Sequence, residues 1–158
     1  VRDVAPVASI GGVSIASLNG ESNAAVKQNN TSMVLRFSFG NWSLLFTGDL
    51  ESAGERAILA NGRLLRSTIL KVPHHGSATS STPAFVAAVN PAAAVISDGY
   101  LNNFRFPADP VVQRYVDEGA IVMRTDLDGA VMVDATKTRM TVRTFRGDRA
   151  AAIQLDSR

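Results

Sequence analysis

Apolar residues recur at every second position from Ser32 onward, at Met33, Leu35, Phe37 and Phe39, which predicts a strand over Ser32–Phe39 with one buried face. Gly40-Asn41 is a hairpin turn signal, and Trp42–Thr47, mostly apolar, reads as a second strand buried on both faces. Upstream, Val13–Leu18 alternates weakly and reads as a strand, while Gly20–Asn30 is polar and reads as a loop. Gly48-Asp49 ends the second strand of the hairpin. A helix is predicted over Glu51–Asn61, with Glu51 and Glu55 suited to the dipole of its first turns and Gly62 as C-cap.

The pattern then becomes βα. Thr68–Val72 is a short strand that stops at Pro73-His74-His75-Gly76-Ser77. Ser81-Thr82-Pro83 opens a helix running to about Val89, with proline at an early position. Ala93–Ser97 is a strand, Asp98–Pro107 a long loop, and Pro110–Glu118 a helix closed by Gly119. Ile121–Arg124, Ala130–Asp134 and Met140–Phe145 complete the predicted strands, the last two as a hairpin. A hairpin followed by βα units is an α/β layered arrangement. In such folds functional loops gather beyond the strand carboxyl ends. The Gly48-Asp49 turn, the Pro73–Ser77 turn and the Ser97–Pro107 loop are therefore expected on one rim.

Composition narrows the chemistry. A chain of 158 residues with 46% hydrophobic and 19% charged residues is globular and about the size of one domain. Its longest apolar runs, Ala92–Ile96 and Ala150–Ile153, are far short of the roughly 20 residues of a membrane helix, and no signal-peptide pattern opens the chain. A start at Val1 rather than Met reads as a fragment or a processed product. Cysteine is absent, which excludes disulfides and thiolate zinc sites and leaves the redox compartment open. Any metal must be held by His, Asp, Glu or backbone oxygen, and the two histidines are adjacent, His74 and His75. Net charge is only +2, but residues 136–158 hold Lys137, Arg139, Arg143, Arg146, Arg149 and Arg158 against Asp148 and Asp156. That basic segment reads as a solvated edge strand and tail, or more sharply as a contact for a phosphate backbone.

Three features carry candidate chemistry. Leu44-Leu45-Phe46-Thr47-Gly48-Asp49 delivers a carboxylate, a hard oxygen ligand, at a strand end, where the plain alternative is a turn or helix cap. Lys71-Val72-Pro73-His74-His75-Gly76-Ser77 places two imidazoles, a glycine that permits close backbone approach and a hydroxyl after a buried strand. Adjacent histidines point different ways, so one can bind metal while the other holds a phosphate or moves a proton. Ser97-Asp98-Gly99 with Asn102, Asn103 and Arg105 offers amides and a guanidinium for substrate contact, against the plain reading of a solvated loop.

The run from Asn29-Asn30-Thr31-Ser32-Met33-Val34-Leu35 through Thr47-Gly48-Asp49-Leu50-Glu51 to Leu70-Lys71-Val72-Pro73-His74-His75-Gly76-Ser77 resembles the metallo-β-lactamase-fold domain of ComEC-type DNA-uptake (competence) proteins. The likeness continues through Ser80-Ser81, Val95-Ile96-Ser97, Gly99 and Asn102, and Arg124-Thr125-Asp126 with Gly129-Ala130, and covers roughly Val13 to Val133. It implies a metallo-β-lactamase-like αββα sandwich, of which this chain would be the C-terminal half to two-thirds. It also implies two divalent metal ions, zinc or manganese, in the intact domain, with weak or no metal binding in this chain alone. Asp49 would be the metal-bridging carboxylate and one of His74 and His75 a late metal ligand, the other serving phosphate or proton transfer. Ser77, Ser97, Asn102 and Arg105 would contact substrate.

Two departures qualify the likeness. The family's main metal motif, His-x-His-x-Asp-His or a variant, is absent and would lie upstream of residue 1. Phe106-Pro107 stands where relatives usually carry His-Pro. The function implied is phosphodiester hydrolysis with DNA as substrate, in a bacterial membrane protein that holds this domain outside the membrane. Its partners would then be DNA and the upstream half or membrane channel of the parent. The alternatives are a non-catalytic DNA-binding or scaffolding domain, using the basic C-terminal segment, and a hydrolase of another small phosphoester.

Overall fold

The computed structural model describes residues 7–18, 28–146 and 151–153. Seven strands form one sheet in simple sequence order: β1 (Ala8–Ile10), β2 (Val13–Ser17), β3 (Leu35–Phe39), β4 (Trp42–Phe46), β5 (Ile69–Lys71), β6 (Ala93–Ile96) and β7 (Ile121–Arg124). β1 to β4 pair antiparallel and β4 to β7 parallel. The parallel half is reached through α1 (Ser52–Ala60), α2 (Pro83–Val89) and α3 (Asp109–Asp117). A second sheet holds β8 (Val131–Ala135), β9 (Met140–Thr144) and β10 (Ala151–Ile153) in the order β10-β9-β8, all antiparallel.

The period of two along the strands divides the core. Leu45, Leu70 and Ala94 are register partners on β4, β5 and β6, and all three pack with Ile58 of α1, Phe85 and Val89 of α2 and Val111 and Tyr115 of α3. Their neighbours Leu44, Ile69 and Ala93 point the other way, toward Trp42, Met123, Met140 and Val142. The result is three layers: helices, the seven-stranded sheet, and the three-stranded sheet. Trp42 Nε1 donates to the Thr136 carbonyl (2.7 Å), tying the large sheet to the connection between β8 and β9. This is a mixed α/β sandwich, as the βα pattern predicts.

Several local expectations are corrected. β3 starts at Leu35, and Met33 is exposed ahead of it. Leu35, Phe37 and Phe39 of β3 are only half-buried, because the small sheet ends at its edge strand β8 and covers their side of the large sheet in part. For the same reason Phe46, expected to be enclosed, is 43% exposed. Glu55 does not serve the dipole of its own helix. Its carboxylate is fully buried and accepts from the backbone N–H groups of Ser81 (2.5 Å) and Thr82 (2.8 Å), at the start of α2. The N-terminus of α1 is satisfied by a distant residue instead: Asn30 Oδ1 accepts from Gly54 N (2.9 Å) and Glu51 N (3.2 Å). β1, β10 and a single helical turn, Thr125–Asp128, were not foreseen. Of the polar loop Gly20–Asn30, residues 20–27 lie outside the described residues, as do Arg149 and Arg158.

Candidate functional site at the carboxyl ends of the parallel strands

β4, β5 and β6 are parallel neighbours, so the segments that leave them reach the same edge of the sheet. After β4, Gly48 takes φ +54°, and a Cβ there would meet the Ser32 side chain at 2.9 Å. Glycine is needed both for the left-handed backbone and for this close approach. The Asp49 N–H then donates to Ser32 Oγ (3.1 Å), and the Asp49 carboxylate is left half-exposed at the rim.

After β5, the 3₁₀ turn Pro73–Gly76 carries both histidines in left-handed backbone, His74 at φ 48° and His75 at φ 54°. Two successive non-glycine residues there cost on the order of 1–3 kcal/mol each. The turn is held by His74 N–H on the Gly48 carbonyl (3.1 Å), Ser77 N–H on the His74 carbonyl (2.8 Å) and Ser80 Oγ on the Pro73 carbonyl (3.0 Å). Gly76 lies so close to Pro107 that a Cβ would come within 2.5 Å of that ring, which locks the histidine turn against the Asp98–Pro107 loop.

The twisted turn sends the imidazoles in different directions. His75 Nδ1 lies 2.5 Å from the Ser97 carbonyl. A carbonyl only accepts, so Nδ1 carries the proton, and in the neutral ring Nε2 presents a lone pair 3.4 Å from Asp49 Oδ1. His74 faces the opposite group of partners: its Nδ1 is 3.7 Å from Glu51 Oε1 and 3.4 Å from Thr79 Oγ1. Its ring meets that of Phe106 in an edge-type contact, with centroids 5.7 Å apart and planes at 67°. Glu51 is also fixed by Asn29 Nδ2 (3.2 Å). Lys71 donates to the Gly48 carbonyl (3.3 Å), and burial holds its ammonium below the usual lysine range, opposed by the charge of Asp49.

After β6 the loop closes over an open cleft of about 420 Å³ whose lining includes Asp49, His74, His75, Asp98, Phe104 and Phe106. Asn102 organises this loop. The two N–H groups of its Nδ2 are shared among three acceptors, Asp98 Oδ1 (3.1 Å) and the carbonyls of Gly99 (3.1 Å) and Phe106 (2.7 Å), and its Oδ1 accepts from the N–H groups of Phe104 (3.1 Å) and Phe106 (3.0 Å). Asn102 borders the cleft, but these bonds are all internal to the loop. The Asp98 backbone is tied through Thr125 Oγ1 to the helical turn that follows β7, and its Oδ2 is buried without a hydrogen-bond partner among the described residues. Burial, and then the charge of Asp126, push its carboxyl above the usual range.

The other sequence-derived candidates are dispersed. Ser77 is buried and bonds Thr79 Oγ1 (3.0 Å), shaping the turn that follows the histidines. Ser97 contributes its carbonyl to His75, and its side chain borders a separate apolar groove with Phe46 and Val133. Arg105 is exposed on the loop, with left-handed backbone at φ 57°. Sequence reasoning names Asp98 and Phe106 in this loop without giving either a role in the site, and does not single out Tyr100 or Phe104. Three of the chain's ten aromatic residues, Tyr100, Phe104 and Phe106, fall within Asp98–Pro107, and that concentration in a polar loop was the available signal.

The metal implied by the resemblance can be tested against this donor set. Asp49 Oδ1 and His75 Nε2 converge, with the far nitrogen of His75 fixed by a carbonyl, as metal-binding imidazoles usually are. Among the described residues, no group of three or more His, Asp or Glu side chains is placed to hold a metal ion. Zinc takes at least three protein ligands in catalytic sites and four in structural ones. The described residues therefore do not make a metal centre by themselves.

Comparison with known proteins gives the kinship. The chain is 40% identical over 121 residues to Competence protein ComA of Neisseria gonorrhoeae, covering 76% of this chain and 18% of that protein. It is 34% identical over 114 residues to ComE operon protein 3 of Bacillus subtilis (72% of this chain, 15% of the relative). It is 32% identical over 118 residues to Recombination protein 2 of Haemophilus influenzae (75% and 15%). No family model matches the chain. The chain is homologous to the ComEC-type, competence-associated proteins over most of its length. It spans less than a fifth of the length of these relatives. Among the described residues, no helix is long and apolar enough to cross a membrane.

Proposed function

We propose that this chain handles DNA as part of a competence-type assembly, and that with the donors it carries it acts by binding DNA. The observation that carries this reading is homology, over about three quarters of the chain, to proteins named for competence and recombination. The donor count supports the non-catalytic form. Two-metal hydrolysis needs ions that generate a hydroxide and clamp the attacking and leaving oxygens. Asp49 and His75 supply only two converging donors.

A second reading is a metal-dependent phosphodiesterase that takes its remaining ligands from outside this chain. It is favoured by the hydrogen bond from His75 Nδ1 to the Ser97 carbonyl, which turns Nε2 toward Asp49. In that reading a bound metal would supply a Lewis acid and an activated water, and His74, beside Glu51 and Thr79, would hold or move a proton.

One experiment separates the two. Labelled single-stranded and duplex DNA are titrated with the chain in EDTA across a salt series, and incubated in parallel with zinc or manganese. The binding reading expects salt-dependent affinity in EDTA that survives Asp49→Ala, with the DNA left intact. Metal-dependent cleavage that Asp49→Ala abolishes would replace it with the hydrolase reading. Absence of binding to either form of DNA would overturn the binding reading.

A further inference from the structure

We infer that the Asp98–Pro107 loop is a stacking platform for an unpaired nucleobase at the mouth of the cleft. This deepens the DNA-binding reading and rests on it.

Phe104 is 76% exposed and Tyr100 71% exposed on this loop. Phe104 lies stacked on Phe106, with ring centroids 5.6 Å apart and planes 20° from parallel, and Phe106 in turn meets His74 edge-on. One ring is thus supported from behind and offered to solvent at its front. Exposed aromatic surface grouped in this way marks a contact site rather than scattered surface apolarity.

The platform is held in shape without ligand. The five hydrogen bonds of the Asn102 side chain fix the backbone at Gly99, Phe104 and Phe106, and Gly76 packs on Pro107 behind it. A preformed face loses little further conformational freedom on binding.

Charge selects the part of the nucleotide that can sit there. The cleft floor carries Asp49 and Asp98, which disfavour a phosphate, whereas a neutral base offers a π-face to Phe104. Arg105, next in the chain, is exposed and makes no side-chain hydrogen bond or ion pair within the described residues, so it is free to meet the adjoining phosphate. In a duplex the base faces are already stacked on one another, so an unpaired base is the form that fits.

The test uses the intact chain with three labelled probes of equal length: oligothymidine, an abasic strand with the same sugar-phosphate backbone, and a duplex. The chain is expected to prefer oligothymidine to the abasic strand about tenfold or more. Phe104→Ala should remove that preference while leaving abasic affinity and the melting temperature unchanged, and Phe104→Trp should keep it. If the abasic strand binds as tightly as oligothymidine, or Phe104→Ala weakens both equally, the platform is overturned while DNA binding stands. If no probe binds, the DNA-binding reading falls with it. Sedimentation with phosphatidylglycerol vesicles that depends on Phe104, without base preference, would overturn the platform in favour of a lipid contact.

Discussion

His75 Nε2 lies 3.4 Å from Asp49 Oδ1, and the opposite nitrogen of the ring is committed to the Ser97 carbonyl. Two groups from different loops thus present lone pairs to one point, where a divalent cation is attracted and where no third His, Asp or Glu ligand converges among the described residues. Zinc titration of the chain is expected to show weak binding that both Asp49→Ala and His75→Ala abolish. With only two donors, removing metal with EDTA should shift the melting temperature by no more than about 1–2 °C. Stoichiometric metal that survives dialysis and raises the melting temperature by about 5 °C or more would show that further ligands are recruited.

Asn102 carries five hydrogen bonds within its loop, so its removal should act on the loop before anything else. Asn102→Ala is expected to cost about 1–2 kcal/mol in a urea melt, because half-buried and exposed loop groups lose their bonds to it and meet water instead. Amide hydrogen exchange should rise at Phe104 and Phe106, whose N–H groups lose their acceptor. An unchanged exchange rate at those two amides would remove Asn102 from this organising role.

The contrast between these residues shows what a linear sequence discloses. β3 to β7 and all three helices were legible because apolar spacing and turn residues are local properties. The meeting of Asp49 and His75 at one rim was legible because neighbouring parallel strands must release their loops at the same edge. Glu55 and Asn30 were not. A glutamate in a first helical turn reads as a partner of its own dipole, yet Glu55 binds the start of another helix, and Asn30 serves a helix N-terminus that begins more than twenty residues later. Such roles depend on tertiary neighbours that no spacing encodes. β1 was missed for a different reason: Ala8-Ser9-Ile10 is too short to show a period.

Gly76 and Gly62 give a matched pair of backbone tests. Both have positive φ, +79° and +63°, but a Cβ at Gly76 meets Pro107 at 2.5 Å whereas Gly62 faces open space. Gly62→Ala should cost about 1 kcal/mol from backbone strain alone. Gly76→Ala adds overpacking and should cost about 2–4 kcal/mol. Because the clash falls between the histidine turn and the Asn102 loop, it should also weaken binding of oligothymidine. Equal destabilisation by the two variants would mean that the contact with Pro107 is slack.

β8 is an edge of the small sheet, and beside it Phe46 of β4 is 43% exposed. Apolar grooves lined by Leu44, Phe46 and Val133 run along this edge. An edge strand next to open apolar surface is a template for association. The chain is expected to self-associate with rising concentration in sedimentation velocity, and Phe46→Ser should reduce this. A single monomer boundary across the concentration range would show that the grooves are inert.

Glu55 supplies a pH dependence whose sign is fixed by burial. Desolvation pushes its carboxyl above the ordinary 4.5, although two backbone N–H groups and Arg114 favour the charged form. With the folded value above the unfolded one, the folded state holds the proton over the interval between them. The resulting stability is fully present below about pH 4.5 and is lost as pH rises through the folded value. Glu55→Gln cannot titrate, so the wild type should lose stability relative to this variant between acid and neutral pH. Glu55→Ala should cost more than either, about 2–4 kcal/mol, because it leaves the N–H groups of Ser81 and Thr82 buried without an acceptor. Parallel stability–pH curves for the wild type and Glu55→Gln would mean that the two N–H bonds and Arg114 fully offset burial, so that the folded and unfolded carboxyl titrate alike.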